Sequence, residues 1–70
     1  MDTSKYISHL GMAFKDEHGT EVRNFQLLFG GKAVAIADFD NQLCTRFMFA
    51  DSHRDAALEW KENLEVYKIP

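Results

Sequence analysis

His9, His18, His53 and Cys44 are the side chains of this chain that could hold a soft metal ion, and Cys44 is its one thiol nucleophile. A structural zinc site needs four such ligands, usually arriving as closely spaced pairs. The spacings here supply no such pairs, so no metal ligand is expected. His18 reads as a solvated loop residue and His53 as part of a helix first turn. Cys44 would need a neighbouring base to act as a nucleophile, and its place in an apolar strand reads as a small buried filler. Asp38 and Asp40 could form a general acid–base pair, but Asp40 falls in a turn and Asp38 is expected to face Arg23 across a strand pair. Gly30-Gly31 lacks the Gly-x-Gly-x-x-Gly or Lys-Ser/Thr context of a phosphate loop. A chain of 70 residues also has little room for a concave pocket. The expectation is a protein with no catalytic residue, metal or cofactor, and not an enzyme.

Composition then narrows the partners. The chain is 46% apolar and 27% charged, ordinary for one small globular domain over residues 1–70. A single cysteine cannot form an internal disulfide, so nothing points to an oxidised, secreted scaffold. The net charge of −3 and scattered basic residues argue against direct nucleic-acid binding, which needs clustered Lys and Arg. No apolar run approaches the length of a membrane span, and Met1-Asp2-Thr3-Ser4-Lys5 carries no apolar leader. The expected location is the cytoplasm of the producing or host cell.

The elements that position these residues are organised around a three-stranded antiparallel meander over residues 25–49. Gly30-Gly31 and Asp40-Asn41 tolerate positive φ, as two-residue hairpin loops require. Two such loops set Leu27 opposite Val34, Phe25 opposite Ile36, Val34 opposite Phe47 and Arg23 opposite Asp38. Residues 6–15 alternate as a further strand, with Gly11 interrupting the row. Asp16-Glu17-His18-Gly19 reads as a four-residue connection, placing Leu10 opposite Phe25 and Met12 opposite Arg23. After Phe49 the period changes. Ser52 with Asp55 has the spacing of a capping box, and Ala57, Trp60 and Leu64 form an apolar stripe at helical spacing. The predicted fold is α+β: strands over residues 6–15, 21–29, 32–39 and 42–50, a helix over 52–64 packed on one face, and a short strand or tail over 66–69.

That register divides the sheet into two faces. Phe25, Leu27, Phe29, Val34, Ile36, Phe47 and Phe49 are expected under Trp60 and Leu64. The other face then carries Val22, Asn24, Gln26, Leu28, Ala33, Ala35, Ala37, Phe39, Cys44, Arg46 and Met48, and its row of alanines flanked by Leu28, Phe39 and Met48 is apolar where an outer face is usually polar. Such a patch marks a partner surface, unless Tyr67, Ile69 or the N-terminal segment folds over it. The register also makes Ala35→Glu a tolerated change and Ile36→Glu an unfolding one.

The exterior is mainly acidic. Glu59 and Glu62 lie on the outer side of the helix, and Asp16 and Glu17 share a loop, so these four join Leu28, Ala33, Ala35, Ala37, Phe39 and Met48 as candidate partner-binding residues. Acidic surfaces dock on basic ones, including those built to hold nucleic acid. The stretch from Gly31-Lys32-Ala33-Val34 to Asp38-Phe39-Asp40, followed by a capped helix, resembles the strand-turn-helix order of several small phage-encoded inhibitors. It covers under half the chain and assigns no family. The expected function is a protein-binding module, an inhibitor or modulator occupying a basic surface of a larger partner, such as host nucleic-acid machinery or a CRISPR effector. The alternative is a homodimer, either through the alanine face across a two-fold axis or through edge strands joined into one sheet.

Overall fold

The computed structural model describes residues 5–64. Strands β1 (Tyr6–Lys15), β2 (Glu21–Phe29), β3 (Lys32–Asp40) and β4 (Leu43–Phe49) form one antiparallel sheet in chain order. A 3-10 turn at Asp51–His53 leads into helix α1 (Arg54–Asn63), which packs on one face of the sheet. The α+β architecture and the strand bounds follow the expectation to within a residue. The segment 66–69 lies outside the described residues.

The turns explain most of the pairing. Gly30 and Gly31 both have positive φ, and Phe29 pairs with Lys32, as a two-residue loop demands. The next loop is Asn41-Gln42, at φ 49° and 74°, rather than Asp40-Asn41. Asn41 is held in the first turn position because its N–H donates to the Glu21 carbonyl at 2.9 Å and its side chain accepts the Glu21 N–H at 3.0 Å. Asp40 is thereby left to pair with Leu43. The first connection has five residues, not four, since Lys15 pairs with Glu21. Asp16 organises it: its Oδ1 accepts the backbone N–H groups of His18 and Thr20, both at 2.9 Å.

Every strand pair contains one register shift. In β1 it falls between Leu10 and Met12, so Leu10 faces Phe25 as expected while Met12 moves from Arg23 to Asn24. In β3 the pairing steps from Leu28–Ala33 to Leu27–Ala35, leaving Val34 as the extra residue. In β4 it steps from Phe39–Cys44 to Asp38–Arg46, leaving Thr45 over. An extra residue reverses the facing of everything beyond it. The expected pairs Leu27–Val34, Phe25–Ile36, Val34–Phe47 and Arg23–Asp38 are therefore replaced by Leu27–Ala35, Phe25–Ala37, Ala37–Phe47 and Asn24–Asp38.

The core follows from this reversal. Phe25, Leu27, Ala35, Ala37 and Phe39 of the sheet meet Ala56, Ala57, Trp60 and Leu64 of the helical segment, all buried. Ala37 and Ala57 are wholly enclosed; side chains this small let helix and sheet approach closely, while larger groups fill the flanks. Phe25 and Phe39 meet edge-on at 5.8 Å, a favourable ring geometry. Val34, Cys44, Phe47 and Phe49 pack around this centre, partly buried. Burying each large apolar side chain contributes about 2 kcal/mol.

The helix start differs from a capping box. Ser52 lies inside the 3-10 turn, and His53, the residue before α1, makes no capping hydrogen bond. Its Nδ1 is instead hydrogen-bonded to the Tyr6 hydroxyl at 2.7 Å, and its ring lies 4.9 Å from that of Phe29. These contacts anchor the helix start on β1 and β2. Trp60, two turns on, donates its indole N–H to the Ser8 hydroxyl at 3.0 Å. Among the described residues no buried side-chain nitrogen or oxygen lacks a hydrogen-bond partner.

Candidate interaction surface

The helix covers one face of the sheet, and the described residues place nothing over the other. Strand pairing arranges the open face in cross-strand rows. Ile7, Leu28 and Ala33 form the first; His9, Gln26, Ile36 and Met48 the second. Met12, Asn24, Asp38 and Arg46 form the third, and Phe14, Val22, Asp40 and Leu43 the fourth. The ends are apolar and the middle is polar.

The polar row is internally satisfied. Asn24 Nδ2 donates to Asp38 Oδ1, Arg46 Nε lies 3.3 Å from Asp38 Oδ2, and Gln26 Nε2 donates to Asn24 Oδ1 at 3.4 Å. Gly11 leaves room beside it: a Cβ there would stand 3.0 Å from Asn24 Oδ1. Around this network, Ile7 is 63% exposed, Met12 57%, Phe14 46%, Leu43 69% and Met48 57%. Among the described residues, only Leu10 and Leu58 of the exposed large apolar side chains lie elsewhere.

The candidate residues separate into three groups. Ala35, Ala37 and Phe39 are core residues, not an outer face, because the extra residue at Val34 turns them towards the helix. Leu28, Ala33 and Met48 do lie on the open face, joined there by Ile36, which the two-residue-loop register assigns to the core. The carboxylates are dispersed. Asp16 is engaged within its loop, Glu17 is exposed beside His18 at 3.4 Å, and Glu59 and Glu62 sit on the helix, across the molecule from the open face. Ile7, Met12, Phe14 and Leu43 are surface groups that the regular register does not bring together. The one available signal was Gly11, since an isolated glycine within a strand marks a bulge, and a bulge there turns Met12 and Phe14 to the side of Ile7.

Among the described residues no three His, Cys, Asp or Glu side chains gather as a metal site. Cys44 Sγ contacts the Arg46 carbonyl at 3.5 Å. A shallow cleft of about 180 Å³ lies between β1 and α1, lined by Tyr6, Ser8, Leu27, Glu59, Trp60 and Asn63 among others. Among the described residues no helix is long and apolar enough to cross a membrane. No protein-family model, curated protein or solved structure matches this chain.

Proposed function

We propose that this chain is a small non-catalytic protein-binding module that docks the open face of its sheet on a larger protein. The observation that supports the reading is the exposure of Ile7, Met12, Phe14, Leu43 and Met48 on that one face. Large apolar side chains gathered on one face are costly to leave in water and mark interaction sites. The satisfied row of Asn24, Asp38 and Arg46 between the apolar ends adds direction, since a partner must offer matching polar groups there or strand them. Glu59 and Glu62, on the helix side, act at a distance by steering a basic partner rather than by touching it. A basic surface on nucleic-acid machinery, blocked by occupancy, is the partner that this charge pattern suits.

Paired affinity capture tests the reading, with the wild type, Met48→Glu and Leu58→Glu as baits. Leu58 is exposed on the helix and serves as the control. A protein held by the wild type and Leu58→Glu but lost from Met48→Glu supports open-face docking. Equal recovery by all three baits, or no recovery by the wild type, overturns it.

A further inference from the structure

Among the described residues β1 is an edge strand, with no neighbour on its outer side in the sheet. Its ten residues run Tyr6-Ile7-Ser8-His9-Leu10-Gly11-Met12-Ala13-Phe14-Lys15, and all but Tyr6 are exposed. Natural edges are usually blunted by charge, proline or shortness. β1 has no proline, carries its one lysine at its last position, and is the longest strand of the four. β4, the other edge, is shorter and carries Arg46 at its middle.

We infer that two copies of the chain pair through β1, antiparallel about a two-fold axis, to make one continuous eight-stranded sheet. Parity carries the pairing. Full overlap of the strand with its own copy sets Tyr6 opposite Lys15, Ile7 opposite Phe14, Ser8 opposite Ala13 and His9 opposite Met12. Directly opposed residues must share a face, and in a regular ten-residue strand every one of these pairs would join opposite faces. The shift at Gly11 reverses the facing of the second half. Ile7, His9, Met12 and Phe14 therefore all lie on the open face, while Tyr6, Ser8, Ala13 and Lys15 lie on the helix side. The bulge thus makes the full-length pairing consistent on both faces.

Charge agrees with the same register. It places Lys5 of each copy beside Asp16 of the other at both ends of the ladder, a favourable pairing of opposite charges. On the open face it brings Ile7 against Phe14 of the second copy, so the two apolar surfaces run together. The surface used is the strand edge, so the inference stands apart from the open-face reading.

The test needs no other protein. Sedimentation equilibrium of the chain is expected to give twice the 8.1 kDa monomer mass. In a Cys44→Ala background, Ile7→Cys with Phe14→Cys is expected to form a covalent dimer under mild oxidation, because these positions face each other. Ile7→Cys with Met12→Cys puts thiols on the same face but out of register, and is expected to stay unlinked. All four sites except Cys44 are exposed, so circular dichroism should match the wild type. A single monomeric species across the concentration range, or equal cross-linking of both pairs, overturns the inference. Loss of the dimer in Met48→Glu also overturns it, since that result would mean face-to-face packing.

Discussion

Trp60 donates its indole N–H to the hydroxyl of Ser8, 52 positions earlier in the chain, and so ties the helix to the first strand. The bond closes the one polar group of a side chain whose rings are otherwise in the core. Removing the donor by Trp60→Phe is expected to cost about 1 kcal/mol beyond the lost ring area, and Ser8→Ala a similar amount. The double variant should cost less than the sum of the two, because both remove one interaction. Urea denaturation of the three variants measures this.

Ala35 and Ile36 are neighbours with opposite fates. A carboxylate at Ala35 would be buried between Leu27 and Phe49 on the face the helix covers, at a cost of several kcal/mol. The whole domain has about 4–10 kcal/mol to lose. Ala35→Glu is therefore expected to unfold the protein and Ile36→Glu to leave it folded. Thermal melts followed by circular dichroism decide it, and the opposite result would restore the register of a regular hairpin.

These two residues also mark where the sequence stopped being legible. The strands, the Gly30-Gly31 turn and the helical stripe of Ala57, Trp60 and Leu64 are written in periodicity and turn chemistry, and they stand. The facing of β3 is decided by one surplus residue, Val34, a type enriched in strands that gives no sign of a bulge. Thr45 in β4 is equally mute. With the parity of β3 reversed, Ala35, Ala37 and Phe39 read as surface and Ile36 as core, so the candidate site lost its apolar ends while keeping Leu28 and Met48. Gly11 alone carried a signal.

Deleting Gly11 is expected to test the bulge in β1. Gly11 is the surplus residue, so its removal makes Leu10 and Met12 successive residues opposite Phe25 and Asn24, and every other side chain of β1 keeps its face. The Tyr6–His53 and Trp60–Ser8 hydrogen bonds are then retained, and the stability read from the urea midpoint is expected to stay within about 1 kcal/mol of the wild type. A fall of several kcal/mol, as when a residue removed from a regular strand turns half of it over, would count against the bulge.

Gln42 holds a φ of 74° in the turn between β3 and β4. A side chain with a Cβ is strained in that conformation, whereas glycine is not. Gln42→Gly is expected to stabilise the fold by about 0.5–1 kcal/mol after allowing for the greater freedom of the unfolded chain. The corresponding rise in Tm is about 2–8 °C. No rise, or a fall, would show that the turn carries no strain.

The in-order sheet has a consequence for how the protein assembles. Each strand pairs with the next across connections of five, two and two residues, so every ladder closes a short loop and can form early. During synthesis the four strands can zip together one after another. The side of the sheet bearing Phe25, Leu27 and Phe39 nevertheless stays open until Trp60 and Leu64 have left the ribosome. A nascent chain released before Arg54 is thus a sheet whose core face, with Phe25, Leu27 and Phe39, is left uncovered. It is expected to bind a hydrophobic dye and precipitate at concentrations where the finished chain stays clear, and a truncation ending at His53 that remains soluble and dye-free would contradict that order of assembly.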